Sequence, residues 1–309
     1  MGEVLRPLNL GEILDRAVTL FVRNFPAFAT IGLVYIVPLT VMQFFISQSS
    51  AGSYQQLIDQ IQHPGRVPPA SLSSFPWGWL IASFAYTSVC TPFVVGAYAV
   101  AVRAIYRGSR PEWRAAYGPG LARAPLVLVT ELLSAIVLGI FGGFFGFALG
   151  IAFTVIILLV RASAAAAIVL SIVTAIALAA VLLLFGVLYL ALWFAIFAVV
   201  VEGADVGSAL STGFRRIFAR PELGRASLLC LCFFAVYLGN FLVSGGVSVL
   251  LDGVVRMRVL DTIAQGVLQL CFLGFFATLL AVYYFDVRVR REGLDIQTGL
   301  DELDAPPAT

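Results

Sequence analysis

The chain has 309 residues, 61% hydrophobic and 12% charged, with a mean hydropathy of +0.99 and a net charge of +2. Soluble domains sit near about 45–50% apolar and about 25% charged, so this composition excludes a soluble domain and equally a disordered chain. Four cysteines in such a length exclude a disulfide-dense secreted scaffold, leaving an all-α polytopic integral membrane protein.

Residues 1–24 carry Glu3, Arg6, Glu12, Asp15, Arg16 and Arg23, too mixed in sign for the leader of a signal peptide. Asn9 followed by Glu12 is a capping-box signature. Leu10, Ile13, Leu14, Ala17, Val18 and Phe21 then recur at helical spacing. The pattern predicts a cytoplasmic amphipathic helix on the membrane surface, ended near Pro26. An uncleaved first span follows over 25–46. Residues 47–76, rich in Gln and Pro, read as a polar loop, and its His63 as a solvated side chain. Trp77 and Trp79 mark a membrane interface, and the second span runs over 77–102 with an expected kink at Thr91-Pro92.

From Pro125 to Val201 the chain is apolar but for Glu131 and Arg161. Two long crossings fit, 125–160 and 165–201, turning around Arg161 to Ala167. Val206, Ala209, Leu210, Gly213, Phe214 and Ile217 predict a second surface helix. The last two spans are 226–251 and 263–285, which completes a six-span domain over 25–286, with a cytoplasmic tail over 287–309 whose last residues are expected to be disordered.

All the basic residues are arginine, and their placement gives an orientation. With the N-terminus inside, fifteen fall on the cytoplasmic side and four on the other, a strong positive-inside bias. Multi-pass insertion in the cell's inner membrane with both termini cytoplasmic is the expectation. Three cytoplasmic stretches, DRAVTLFVRNFPAF, RAAYGPGLARAPLVL and SALSTGFRRIFARPEL, each end in Arg and Pro before a span. They suggest a threefold repeat of surface helix plus helical hairpin, although any span entered from the cytoplasm tends to have a basic lead-in.

Candidate sites follow from residues that break the apolar pattern. Glu131 lies about 9 Å into the third span, where an ionisable group reads either as a proton or cation relay or as an interfacial carboxylate, paired with a cytoplasmic arginine such as Arg123 or wetted by headgroup water. Gly139, Gly143, Gly146 and Gly150 share one face of that span and are expected to pack against the start of the fourth. Asn240, Gln265 and Gln269 read as interhelical hydrogen-bond formers. Glu202, Arg215, Arg216, Asp286, Arg288, Arg290 and Arg291 form a cytoplasmic cluster, either a clamp for phosphate headgroups or a tie between surface helices. Cys90, Cys230, Cys232 and Cys271 read as small buried hydrophobes. No metal-ligand spacing, cofactor motif or nucleophile–base pair occurs, and arginines beside membrane spans do not point to nucleic acid.

The segments LRPLNLGEILDRAVTLFVRNF, WFAIFAVVVEGADVGSALSTGFRRI and YYFDVRVRREGLDI resemble the bacterial glycerophosphoryl diester phosphodiesterase membrane-domain group. Tyr284, Asp286, Arg288, Arg290, Glu292, Gly293 and Asp295 fit its closing pattern. The resemblance implies a helical membrane domain with an N-terminal surface helix and no agreed activity. The phosphodiesterase barrel that names the group needs a further α/β domain with acidic and histidine ligands, and this chain has one histidine. The expectation is a non-enzymatic membrane module, embedded in the lipid bilayer, that binds a membrane or cytoplasmic protein partner or phospholipid headgroups at its cytoplasmic face. The alternative is a small transporter or channel using Glu131.

Overall fold

The structure, a computed structural model, describes residues 6–62, 76–162, 164–254 and 257–293. Among these residues every regular element is helical: α1 (Leu10–Arg23), α2 (Phe25–Gln62), α3 (Trp77–Tyr106), α4 (Trp113–Ala122), α5 (Ala124–Ala162), α6 (Ala164–Phe197), α7 (Val206–Ile217), α8 (Arg220–Ser248) and α9 (Arg258–Glu292). Single π-helical turns close α6 (Ala198–Glu202) and α8 (Val249–Val254). Six helices are long and apolar enough to cross a bilayer, which makes this a multi-pass membrane protein in contact with lipid.

The order is short, long, long, three times over. Each short helix turns into the next long one through an equivalent joint. The carbonyl of Asn24 accepts from Ala27 and Phe28, that of Arg123 from Leu126 and Val127, and that of Ala219 from Glu222 and Leu223. Pro26, Pro125 and Pro221 each occupy the second position of the long helix that follows, where a missing N–H leaves no intrahelical bond unmade. The Arg-and-Pro lead-ins of the sequence are these joints. The third helix of each unit also ends alike, on Gly108, Gly203 and Gly293 at φ 75°, 78° and 62°, a left-handed conformation that favours glycine.

Packing follows the same order around a ring. The short helices seat on the third helix of the preceding unit: α4 on α3, α7 on α6 and α1 on α9. The second helices bridge between units, α2 against α3 and α9, α5 against α6 and α3, and α8 against α9 and α6. The core therefore sits at the short-helix end, where Tyr98, Phe194, Phe197, Tyr283 and Tyr284 are fully buried among Val94–Val102, Val187–Val201 and Ala277–Val287. The described ends of the chain meet there too, since the Leu8 N–H donates to Asp286. Toward the opposite end α5 and α6 show an apolar exterior, with Phe144, Phe147 and Ile176 at 70%, 73% and 66% exposure, the surface that hydrocarbon demands.

Several boundaries differ from the sequence expectations. The predicted loop over 47–76 is helical as far as Gln62, because nothing between Gln48 and Gln62 forces the α2 backbone to stop. Its His63 lies outside the described residues, as does the chain after Gly293. α5 extends to Ala162 and α6 begins at Ala164, and the residue between them, where the turn was expected, lies outside the described residues. The fifth span starts earlier, at Arg220, and α9 runs on to Glu292, so the tail begins later than residue 287. α3 continues as one helix through Pro92. The α1 capping box is present, with Asn9 Oδ1 accepting from the Glu12 N–H at 2.9 Å and Glu12 accepting from the Asn9 N–H at 2.7 Å. The helix is more than a surface float, since Ile13, Ala17 and Leu20 are buried in its contact with α9 while Val18 and Val22 stay exposed.

Candidate functional site

The predicted cytoplasmic cluster resolves into two neutral networks rather than one open basic patch. In the first, Arg216 of α7 is 4% exposed and held between Glu202 at 2.6 Å, closing α6, and Glu292 at 2.5 Å, closing α9. Tyr284 donates its hydroxyl to Glu202, and its ring lies 5.3 Å from the Arg216 guanidinium. Arg288 completes the set, 3.0 Å from Glu292 and 3.4 Å from Glu202. Burial opposes the charge of Arg216, but its hydrogen bond to Glu202 and the charges around it outweigh that cost and hold the guanidinium more firmly protonated than usual. Arg291 donates to the Arg215 and Arg216 carbonyls and so caps the C-terminus of α7.

In the second network Asp286, with a fully buried side chain, accepts from the Leu8 N–H at 2.6 Å, from Arg225 at 2.6 Å and from Arg290 at 3.1 Å. Arg225 reaches on to Glu222 at 3.0 Å, and both arginines donate to the Leu8 carbonyl. This ties the N-terminal segment to α8 and α9. Two arginines face two carboxylates in each network, so neither retains a net charge with which to clamp a phosphate. Six of the seven predicted residues are thus brought into these ties and their cap. Arg215 is exposed, and its guanidinium takes no part in either network. The charge cluster expected from the sequence left out Glu222, Arg225 and Glu292, although Glu292 belongs to the closing pattern of the resemblance, and the i, i+3 and i, i+4 spacings to their partners are the local signal for them.

A different set of arginines is open. Arg23, Arg107, Arg110, Arg114, Arg215 and Arg220 are exposed at the short-helix end and make no ion pair among the described residues. Arg114 lies over the ring of the half-exposed Trp113 at 5.1 Å, and with Thr30, Pro111 and Glu112 they line an open groove of about 410 Å³.

Glu131 is not paired with Arg123. It lines a cavity of about 180 Å³ between α3, α5 and α6, together with Ser88, Thr91, Ser134, Tyr189 and Trp193. Its carboxylate makes no hydrogen bond or ion pair among the described residues. Pro92 withholds the backbone donor that the Ser88 carbonyl would otherwise receive. Trp193 is 4% exposed and packs edge to face against Tyr189 at 5.8 Å.

The glycine face of α5 does not pack as expected. A Cβ placed on Gly139, Gly143, Gly146 or Gly150 meets nothing within 4 Å, because the face points away from α6 to the exterior. Close approach happens elsewhere: a Cβ on Gly213 would come 2.3 Å from the Ala191 carbonyl oxygen of α6, and one on Gly274 would come 2.6 Å from the Phe21 ring. Gln265 does join α8 and α9 through Ser244 and Ser248 at 2.7–3.0 Å, whereas the Gln269 carbonyl oxygen is buried without a donor. The four cysteines are free, and no cluster of three or more His, Cys, Asp or Glu side chains suited to a metal occurs among the described residues. Comparison with family models, with curated proteins and with solved structures finds no match to this chain.

Proposed function

We propose that this chain is a non-enzymatic membrane module of a bacterial inner membrane, with both termini in the cytoplasm, whose basic end binds anionic phospholipid headgroups and offers a rigid platform to a partner protein. The observation that carries the reading is the division of labour among arginines. The buried ones are neutralised within the fold, while Arg23, Arg107, Arg110, Arg114, Arg215 and Arg220 are exposed at one end with no ion pair among the described residues. Guanidinium groups meet phosphate oxygens in bidentate fashion, and each basic residue near an anionic leaflet contributes about 1 kcal/mol. Trp113 beside Arg114 suits the headgroup level of a bilayer. Resemblance to the phosphodiesterase membrane-domain group supports the same reading, because Tyr284, Asp286, Arg288, Arg290 and Glu292, which carry it, are the residues that build the two networks.

The test is native mass spectrometry of the protein extracted into mixed phosphatidylglycerol and phosphatidylcholine nanodiscs. Retention of phosphatidylglycerol, lost when Arg107, Arg110 and Arg114 are changed together to Gln, is the expected result. Equal retention of both lipids by the parent protein would overturn the proposal. A small transporter or channel is the second reading, favoured by one observation, the polar cavity around Glu131.

A further inference from the structure

The six long helices do not share one apolar length. At the short-helix end their charges lie at one level. Arg103 donates to the Val201 carbonyl at 2.9 Å, Arg288 is 3.4 Å from Glu202, Arg225 is 2.6 Å from Asp286, and the Arg123 guanidinium lies against Gly203. Four helices reach a polar boundary about 25 residues from that level, at Ser47–Ser49 in α2, Trp77 in α3, Asp252 in the turn closing α8 and Asp261 in α9. This far level is tied together as well, since Phe45 stacks on Trp79 at 4.8 Å and Ser248 donates to Asp261 at 2.9 Å.

α5 and α6 run on past it. Beyond Glu131, α5 meets no charge until Arg161, 38 residues after Arg123, and α6 carries none before Glu202. Fitting that length into the thickness set by the other four would take a tilt of about 45°, outside the range of about 0–40° for membrane helices. The hairpin therefore stands about 18 Å beyond the far level. Its side chains there stay apolar, with Ile151, Phe153, Ile157, Ile168 and Ile172 51–61% exposed. Lipid accounts for such exposure inside the bilayer, but past the bilayer the alternative to a protein cover is water.

The outer face of α5 indicates the cover. Gly139, Gly143, Gly146 and Gly150 form an open groove, whereas Gly142, one position round, faces Phe185 of α6. One residue on from each groove position, Ile140, Phe144, Phe147 and Ile151 form a ridge with the same spacing, 67%, 70%, 73% and 51% exposed. Ridge and groove lie about 100° apart around the helix. A face that carries both at one spacing is complementary to itself, because a two-fold rotation sets each ridge into the other's groove. Two copies inserted the same way in a membrane present their α5 helices parallel, as that rotation requires, and small residues let the backbones approach. The ridge offers on the order of 500 Å², and with the glycine backbone and the overhang the face approaches the about 800 Å² that a standard interface takes from each partner. No charge between Glu131 and Arg161 opposes the approach.

We infer that α5 is a self-association surface through which two copies of this chain form a parallel two-fold dimer, their overhanging hairpins joining as a four-helix bundle. The surface is separate from the exposed arginines and from the Glu131 cavity, so it stands independently of the lipid-binding reading.

The experiment reconstitutes the full chain, carrying one fluorophore on a C-terminal tag, in phosphatidylcholine vesicles over a range of protein-to-lipid ratios. Single-molecule photobleaching reads the stoichiometry. The expected result is a monomer–dimer equilibrium that shifts with dilution. Gly143→Leu with Gly146→Leu fills the groove, Phe144→Ala with Phe147→Ala cuts the ridge, and each pair should weaken dimerisation about tenfold or more. Mixing the two variants should restore pairing above either alone, since the intact ridge of one meets the intact groove of the other. Unfolding curves at high dilution, where the parent is also monomeric, establish that both variants fold. The inference is overturned if the parent bleaches in one step at every ratio, if the groove-filled variant pairs like the parent, or if the mixture pairs no better than its components. A monomeric parent whose Ile140 position photocrosslinks to a different protein in native membranes would give the surface to that partner instead.

Discussion

Replacing Asp286 by alanine tests whether the second network holds the two ends of the chain together. The carboxylate accepts from the Leu8 N–H, Arg225 and Arg290 at 2.6, 2.6 and 3.1 Å, and its side chain is inaccessible to solvent. Its loss orphans the Leu8 N–H, at a residue 5% exposed, which costs about 1–3 kcal/mol. Breaking a buried ion pair costs about 3–5 kcal/mol when the remaining charge is left uncompensated. Here Arg225 keeps Glu222 and the Leu8 carbonyl, and Arg290 is 32% exposed, so the full penalty is not reached. The expected loss is about 3 kcal/mol. Asp286→Asn keeps one acceptor for Leu8 and should recover about 1 kcal/mol of that. Denaturant-driven unfolding in bicelles gives the total, and hydrogen exchange along α1 localises it. Unchanged unfolding and unchanged exchange in Asp286→Ala would refute the assignment of Asp286 as the clasp.

Gly213→Ala places a methyl 2.3 Å from the Ala191 carbonyl oxygen and should cost about 1–3 kcal/mol as α7 lifts from α6. Gly143→Ala meets no neighbour and should be neutral or stabilising by up to about 1 kcal/mol, so the two melting shifts should have opposite signs or differ strongly in size. Asn9→Ala removes the α1 cap and should destabilise by about 1 kcal/mol, read most directly as faster exchange in the first turn of α1. Glu12 is held below the usual carboxylate range by the Asn9 N–H and then by Arg6, and Asp205 by the Ser208 hydroxyl and N–H. A depressed folded value means this stabilisation is complete above the unfolded pKa and is lost as pH falls through the folded one. Exchange protection in the first turns of α1 and α7 should therefore be level above about pH 5 and fall below about pH 4.

Local signals in the sequence carried the elements whose cause is local. The Asn9–Glu12 box and the stripes of α1 and α7 follow from helical spacing, and the six crossings from apolar length. α4 has no comparable stripe, burying only Ala116 and Gly120, and so lacked a periodic signal of its own. The cluster of charges was visible but its division was not, because Asp286 meets Leu8 and Arg216 meets Glu292 across most of the chain or a whole unit. Glycine spacing marks where close approach is sterically allowed, and tertiary placement decides which glycines use it. That is why Gly213 and Gly274 lie at contacts and Gly139 and Gly143 do not. Glu131 stands out in an apolar run, whereas the cavity it lines is shared with residues of α3 and α6 and could be found only from the fold.

The seat of α1 is α9, the last helix among the described residues and more than two hundred residues further along the chain. During synthesis α1 therefore emerges with its buried face, Ile13, Ala17 and Leu20, unmatched until α9 has been made. At about 5–20 residues per second that interval lasts on the order of tens of seconds. An amphipathic helix can spend such a wait against the lipid surface, its stripe sheltered by headgroups and acyl chains, and exchange bilayer for protein when α9 arrives. One stripe thus has the chemistry for two settings, the lipid surface before α9 exists and the protein seat that closes the ring afterwards.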